Sequence, residues 1–241
     1  MTTTSKPNER ASTEDFEFEA LDKAINYRAG IIEEFREHLK GHLWEVGAGI
    51  GQMTQSLSEL ESISRITCIE PDPKFAAIHR NRFANLELVE GTIADAKGLP
   101  SPDCIISINV LEHIEDDLAE LRSYREILSH NQGSLCLLIP ARPEIYSSID
   151  SDFGHFRRYR KKELANKIRN AGFHLRRVYY FNSLGYLAWL AKFRILRSRS
   201  FDARQVAFYD SKIFPLVHWM ETRLFRPPIG QSLIAIASVG D

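Results

Sequence analysis

Short apolar runs alternate with segments of helical periodicity over the first 140 residues of the chain. Five runs have the length and apolar content of buried strands: 43–46, 65–69, 86–90, 103–110 and 135–139. Amphipathic segments at 52–60, 74–83 and 116–128 lie between them. Strands that alternate with helices pair in parallel through right-handed crossovers, so this order predicts an α/β fold with a doubly wound, mostly parallel sheet.

Both ends of the chain extend this core. Residues 1–17 are polar and are expected to be mobile, whereas apolar residues recur at helical spacing over 18–40 and predict a lid helix. A helix at 161–171 and a sixth strand at 173–181 follow the fifth strand, and a last strand is expected at 232–239. The sequence thus predicts one seven-stranded domain over 18–241.

Residues 182–230 form an insert before the last strand, and the insert is far too long for a hairpin loop. It contains amphipathic and largely apolar helical segments rich in aromatic residues. No run reaches the roughly 18 uncharged apolar residues that a membrane span needs. Three uses stay open: a roof over an apolar substrate pocket, a homodimer interface, or a contact with a membrane surface that presents a lipid-linked substrate.

The composition and net charge limit the kinds of binding partner that the sequence predicts. The 241 residues carry a net charge of −1, so no overall positive field favours a nucleic acid, and no signal peptide is evident. Cys68, Cys104 and Cys136 each lie inside an apolar run, which is typical of buried free thiols in a reducing cytoplasm. Cysteine and histidine spacings give no metal-ligand motif, so no metal is expected.

A glycine turn follows the first predicted strand. Gly47, Gly49 and Gly51 alternate with other residues, an acid (Glu45) precedes them, and a helix begins directly after them. Glycines allow a ligand to approach the backbone, and the helix start offers unpaired N–H groups. A dinucleotide fingerprint would be G-x-G-x-x-G, which this spacing does not match. Glu70 ends the next strand about 20 residues later, where a carboxylate can accept ribose hydroxyls.

The string EVGAGIG, followed by CIEPDP, resembles the class I S-adenosylmethionine-dependent methyltransferases. The resemblance implies a Rossmann-like methyltransferase fold with an antiparallel last strand, and S-adenosyl-L-methionine as the cofactor. It assigns cofactor contacts to the turn, to the ends of the second, third and fourth strands, and to a tyrosine of the lid helix. These residues are Tyr27, Glu45, Gly47, Ala48, Gly49, Gly51, Glu70, Pro71, Thr92, Ile93, Asn109 and Val110.

Two of these positions depart from the family pattern. Thr92 stands where the family often has an aspartate that binds the adenine amino group, and Asp95 is a candidate substitute. Asn109 stands where an acid or a small polar residue is usual. The V-L-E-H-I string that follows is familiar in the branch acting on small molecules, and its histidine, His113, is expected to be structural more often than catalytic.

The segment after the fifth strand is expected to carry the substrate end of the site. Its string GHFRRY resembles a subgroup of bacterial type 11/12 methyltransferases with G-H-x-R-R-Y at this place. His155 is the predicted general base and Tyr159 its hydrogen-bonding partner. Arg157, Arg158 and Tyr146 are predicted to bind the acceptor. The alternative is a lid loop tied down by ion pairs, with Arg158 and Tyr159 capping the next helix.

The sequence therefore predicts a cytoplasmic enzyme that transfers a methyl group to an oxygen, nitrogen or carbon of a small molecule, such as a secondary metabolite or a sugar-lipid. Two other classes stay open. One is a non-catalytic S-adenosylmethionine-binding partner protein. The other is a nicotinamide-dependent oxidoreductase on the same sheet, which the glycine spacing and the lack of a Tyr-x-x-x-Lys pair disfavour.

Overall fold

A computed structural model describes residues 22–198 and 203–240. The segment 1–17, predicted to be mobile, lies outside the described residues, as does the beginning of the predicted lid helix. Within the described ranges, one sheet carries the strands β1 (Gly41–Val46), β2 (Ile63–Glu70), β3 (Glu87–Glu90), β4 (Cys104–Ile108), β5 (Ser134–Pro140), β6 (His174–Phe181) and β7 (Ser232–Ser238).

The strand order is β3-β2-β1-β4-β5-β7-β6. Strands β1 to β5 pair in parallel, and β7 runs antiparallel between β5 and β6. The chain reverses its direction of winding between β1 and β4, which is where doubly wound sheets leave a crevice for ligands. The predicted seven-stranded, mostly parallel fold is confirmed.

Helices cover both faces of the sheet. They are α1 (Ile25–Phe35), α2 (Gln52–Ser58), α3 (Pro73–Arg82), α4 (Asp117–Leu128), α5 (Ser148–Asp152), α6 (Lys161–Asn170), α7 (Ser183–Trp189), α8 (Ala203–Phe208) and α9 (Phe214–Arg223). Turns of π-helix at Leu190–Ile195 and Tyr209–Ile213 extend the insert helices. The short α5 was not predicted. Its capping box, in which Ser147 and Asp150 bond each other's backbone, begins it in a polar stretch.

Two apolar cores explain why the central strands read as continuous hydrophobic runs. Side chains alternate between the faces of a strand, so Trp44 and Ile105 enter one core while Leu43 and Ile106 enter the other. The three cysteines all point into the second core, and all are buried free thiols, as predicted. Both faces of these strands are buried, so a layer of helices must cover each face of the sheet.

Helix α1 is held by the insert. The ring of Phe214 lies so close to Gly30 that a Cβ there would be 3.0 Å from it, which explains the glycine that interrupts the helical pattern. The ring centroids of Tyr27 and Phe214 are 5.2 Å apart. Because α1 precedes β1 and α9 precedes β7, this packing closes the two ends of the chain around one edge of the ligand crevice.

Asp210, a buried residue of the insert, caps α1 from a distance of more than 180 positions along the chain. Its carboxylate accepts the backbone N–H groups of Asn26 and Tyr27, at 3.0 and 2.8 Å, and the side-chain amide of Asn26 at 3.0 Å. The residue before the helix, Ala24, offers no capping side chain. A carboxylate there also meets the positive end of the helix dipole.

We expect Asp210→Ala to lower the free energy of unfolding by about 1–3 kcal/mol, because it removes a charged acceptor from buried N–H groups. Urea denaturation followed by circular dichroism measures this. Asp210→Asn keeps one acceptor oxygen and should lose less. Equal stability of the wild type and the alanine variant would show that the insert does not hold α1.

Candidate cofactor and acceptor site

The glycine turn connects β1 to α2 at the carboxyl edge of the sheet. Gly47 and Gly51 have φ angles of +76° and +89°. A Cβ on Gly47 would lie 2.2 Å from Val110, and one on Gly51 would lie 2.3 Å from the ring of Phe83. Both positions therefore require glycine, for backbone conformation and for close packing. Ala48 is buried, and its N–H donates to the carbonyl of Ile69.

Glu70 binds the middle of this turn from the neighbouring strand. Its Oε2 accepts the N–H of Gly49 at 2.7 Å, and its Oε1 accepts the N–H of Asp72 at 2.9 Å. Burial raises the pKa of Glu70, and the two hydrogen bonds oppose that rise. Each carboxylate oxygen can accept a second hydrogen bond, so the arrangement can also bind a diol. Pro71 is exposed directly after it.

Glu45 lies beneath the turn instead of facing a ligand. Its buried carboxylate accepts the hydroxyl of Thr54 at 2.6 Å, and the same hydroxyl lies 3.0 Å from Nε2 of His79. Burial raises the pKa of Glu45 to about 8. The predicted direct contact with the cofactor is therefore corrected: Glu45 ties β1 to α2 and supports the turn from inside.

The turn after β3 is closed by its own residues. Both the N–H and the hydroxyl of Thr92 donate to Oδ2 of Asp95, at 2.8 and 2.9 Å. These bonds lower the pKa of Asp95. Ile93 is buried against the first core and Val110 packs beside it. The turn after β3 thus offers an apolar wall, formed by Ile93 and Val110. One carboxylate oxygen of Asp95 is already engaged by Thr92.

A cavity of about 600 Å³ opens beside the ends of β4 and β5. Asn109, in a left-handed conformation with φ of +53°, and Pro140 form its floor, and Tyr27 forms one side. Burial raises the pKa of Tyr27 to about 12, so its hydroxyl stays protonated. The insert supplies the roof with aromatic and aliphatic residues, among them Trp189, Phe193, Val206, Phe208, Tyr209 and Ile213.

His155 lies in the wall of this cavity, and Asp150 orients its ring. Nδ1 of His155 is 3.2 Å from Oδ1 of Asp150, which also accepts Nε of Arg158 at 2.6 Å. Burial opposes ionisation of Asp150, yet the bonds from His155 and Arg158 bring its pKa below the usual value. Nε2 of His155 points the other way, 4.0 Å from Oε1 of Glu112.

Three residues from two segments converge at that nitrogen. Candidate ligand atoms of Glu112, His113 and His155 all lie within 4.8 Å of one another, so these residues could hold a metal ion. Desolvation and the neighbouring His155 lower the pKa of His113 to about 4, which keeps its imidazole neutral. Sequence spacing did not reveal this group, because its members are separated by 42 positions. The only signal was the V-L-E-H-I string itself.

Tyr159 does not partner His155. It is fully buried in the first core, and its hydroxyl donates to Oδ2 of Asp117 at 2.8 Å and to the carbonyl of Leu111 at 3.1 Å. Its predicted catalytic contact is therefore wrong. The position of a tyrosine in a polar loop is ambiguous from sequence alone, and here the aromatic ring fills the core while the hydroxyl bonds a buried carboxylate.

The predicted acceptor-binding residues are mostly engaged in holding the loop. Arg157 bonds the Glu115 carbonyl at 2.8 Å and the Asp117 carboxylate at 3.0 Å, and Tyr146 donates to the His155 carbonyl at 2.7 Å. Arg158 is buried, yet its guanidinium reaches the cavity wall and lies 4.5 Å from the Trp189 ring centroid. The loop tied down by ion pairs, the alternative interpretation, fits these residues, although neither Arg158 nor Tyr159 caps α6.

Comparisons with known proteins agree with this geometry. Residues 44–133 match the sequence model of a family described as a methyltransferase domain. No match is found among the curated proteins. Within the described ranges, no helix is long and apolar enough to cross a membrane.

Solved structures share the fold at low identity. A SAM-dependent methyltransferase from Archaeoglobus fulgidus is 14% identical, with a TM-score of 0.57 over 90% of this chain and 94% of its own. The methyltransferase chain of a complex with the Trm112 activator from Haloferax volcanii is 14% identical, with a TM-score of 0.57 over 92% and 98%. The DhpI–SAH complex is 18% identical, with a TM-score of 0.53 over 69% and 84%.

We expect Tyr159→Phe to lower the free energy of unfolding by about 1–2 kcal/mol, since Asp117 and the Leu111 carbonyl each lose a buried donor. Urea denaturation measures the free energy of unfolding. Amide exchange in the region around Glu70 shows whether the destabilisation is confined to the loop and α4. Unchanged stability would contradict the structural role of the Tyr159 hydroxyl and leave its predicted functional role open.

The raised pKa of Glu45 makes its effect on stability depend on pH. The unfolded carboxyl titrates near 4.3, so the folded protein holds an extra proton up to about pH 8. Stability relative to Glu45→Gln, which cannot titrate, should therefore fall as the pH rises from about 4 to about 8, by on the order of 1–4 kcal/mol. Denaturation of both proteins at several pH values measures the difference. A difference that is flat with pH would contradict the burial of a protonated Glu45.

Proposed function

We propose that this chain, whose residues 44–133 match a methyltransferase domain, is an S-adenosylmethionine-dependent methyltransferase that acts on a small molecule held in the cavity under the insert. The domain match and the shared fold support the predicted enzyme class and cofactor. The small-molecule acceptor and the G-H-x-R-R-Y subgroup are our proposals.

The contact between Gly49 and Glu70 carries the cofactor assignment. It brings a glycine-rich turn and a carboxylate together at the carboxyl edge of β1 and β2. A Cβ at Gly47 or Gly51 would clash with Val110 or Phe83, so the turn keeps this shape only with glycine at both positions. Glu70 would accept the ribose hydroxyls, Ile93 would border the adenine, and the turn, Asn109 and Tyr27 would surround the methionine end.

When bound, S-adenosylmethionine supplies an electrophilic methyl group on a sulfonium. The chain's own task is to place a nucleophile in line with that methyl carbon, at about 3 Å, and to keep water away. Asn109 and Pro140 line the cavity at the ends of β4 and β5, and the aromatic residues of the insert cover it. Catalysis would rest mostly on this positioning.

His155 is the residue through which we propose that the acceptor is activated. Asp150 engages Nδ1, which leaves Nε2 as the atom facing the reacting group, either as a proton acceptor or through a bound cation. Arg158, Lys192 and Arg204 add three cationic side chains to the largely apolar wall, which favours an acceptor with an acidic or polar end and an apolar body.

Of the three possible uses of the insert, its inner face favours a roof over the substrate cavity. Its outer faces expose Leu187, Leu216 and Trp219, so a homodimer or a membrane surface remains a proposal for that side. The Trm112 complex of a structural relative suggests a protein partner as a third proposal. A cytoplasmic location stays a prediction.

We expect Glu70→Gln to weaken S-adenosylmethionine binding about 10- to 100-fold, because hydrogen bonds to a charged acceptor contribute about 1.5–3 kcal/mol. Isothermal titration calorimetry measures the dissociation constant. Glu90→Gln is the matched control, since Glu90 ends the adjacent β3 and pairs with the exposed Arg80. Equal affinity in both variants would place the cofactor elsewhere.

The same proteins test the activity. Incubation with S-adenosylmethionine carrying a radiolabelled methyl group and a panel of amphiphilic phenols, acids and amines should yield a labelled product for the wild type. Glu70→Gln should lose most of the label and Glu90→Gln should keep it. Tight cofactor binding with no product over a broad panel would instead favour the non-catalytic partner protein.

A further inference from the structure

Two imidazoles and one carboxylate lie close together beside the cavity, and one of the imidazoles, that of His155, lines it. Glu112 and His113 lie on a single helical turn, Leu111–His113, directly after β4, and His155 lies on the loop after α5. The rings of His113 and His155 meet edge to face, with their centroids 4.7 Å apart. Glu112 is fully buried, and its Oε1 is 4.0 Å from Nε2 of His155.

The backbone fixes these two segments together. The N–H of Phe156 donates to the carbonyl of Glu112 at 2.8 Å, so the residue after His155 is bonded to the residue before His113. Tyr146 anchors the His155 carbonyl from the other side, at 2.7 Å. The three side chains therefore converge through built contacts, and not through the chance position of a free loop.

Asp150 sets the direction of the His155 ring. With Nδ1–H donated to Asp150, the lone pair of Nε2 points toward Glu112 and His113. Asp150 is itself fixed by Arg158 at 2.6 Å and by the N–H of Ser147 at 2.9 Å. A carboxylate that orients an imidazole through its far nitrogen is the usual support of a histidine metal ligand.

The donor set selects the kind of ion. Two nitrogens and one carboxylate oxygen suit divalent first-row transition metals, and a set of oxygens alone would suit Mg²⁺ or Ca²⁺. Metal–ligand bonds of roughly 2.0–2.2 Å put ligands about 3–4 Å apart. The atoms now lie within 4.8 Å of one another, so a contraction of about 1–2 Å completes the site.

We propose that Glu112, His113 and His155 bind one divalent transition-metal ion, such as Zn²⁺ or Mn²⁺, with Asp150 orienting His155. Three protein ligands leave coordination positions open, and His155 itself lines the cavity in which a hydroxyl of the acceptor can bind. The expectation of no metal, which followed from sequence spacing, is thereby revised.

The role in catalysis rests on the proposed methyl transfer. A metal-bound hydroxyl has a lowered pKa and releases its proton to water. The oxygen lone pair then forms the bond to the methyl carbon, and the electrons of the carbon–sulfur bond stay on sulfur. His155 acts here as a ligand, so its Nε2 does not take the proton.

The test is metal binding by the full-length protein, purified with a chelator and then titrated with ZnCl₂, MnCl₂ or MgCl₂ in a calorimeter. We expect one Zn²⁺ or Mn²⁺ per chain and at least tenfold weaker binding of Mg²⁺. Co²⁺ should give a visible absorption band, which reports ligation directly. The His113→Asn and His155→Asn substitutions should each weaken Zn²⁺ binding at least tenfold, and Asp150→Asn about tenfold.

His130→Asn is the matched control, because His130 is exposed in the turn after α4 and should leave binding unchanged. Glu112→Gln changes a buried residue, so its melting temperature is measured alongside, and the exposed His113 keeps the test valid if that variant does not fold. Absence of stoichiometric binding by the folded wild type, or equal weakening by His130→Asn, overturns the site.

Cofactor binding separates this proposal from the proposed function. His113→Asn should bind S-adenosylmethionine as the wild type does while losing Zn²⁺. If S-adenosylmethionine binds and the metal does not, the metal site is wrong and the methyltransferase stands. If the metal binds and S-adenosylmethionine does not, the methyltransferase assignment is wrong.

Discussion

The hydrogen bond from the Gly49 N–H to the Glu70 carboxylate is the interaction on which the site depends. It joins the turn after β1 to the end of β2, and it can form only because parallel neighbours end at the same edge of the sheet. Any Cβ at Gly47 or Gly51 would push the turn away from that edge. Buried Glu45 and Thr54 hold the other side of the same turn, so the turn is fixed from both sides.

Two buried carboxylates organise the loop that follows β5. Asp150 bonds the side chains of Arg158 and His155 and the backbone N–H of Ser147. Asp117 bonds the side chains of Tyr159, Arg157 and Lys167. A buried charge is costly unless it is paired and hydrogen-bonded, and both acids are. The GHFRRY segment is consequently rigid, and His155 is presented to the cavity at a defined angle instead of sampling solvent.

The insert completes the cavity by the same logic. Its inner aromatic residues cover the carboxyl edge of the sheet. Its buried acids accept hydrogen bonds from backbone N–H groups: Asp210 at the start of α1, and Glu221 from Asn182 and Ser183. The N-terminal helix, the insert and the sheet edge therefore form one enclosure. An apolar roof over a few polar groups is the arrangement expected of a small-molecule site.

The sequence by itself determined the sheet, the glycine cradle and the nearness of Glu70, because these follow from local periodicity and from the rule that parallel strands share an edge. It could not decide which polar residues of the GHFRRY loop face the cavity. Tyr159 and Arg157 contact Asp117, and Glu112 lies beside His155, through pairings of residues at least 40 positions apart. Such pairings depend on how the helices after β4 and β5 pack, and burial makes each polar group take the nearest partner in space, which no spacing along the chain records.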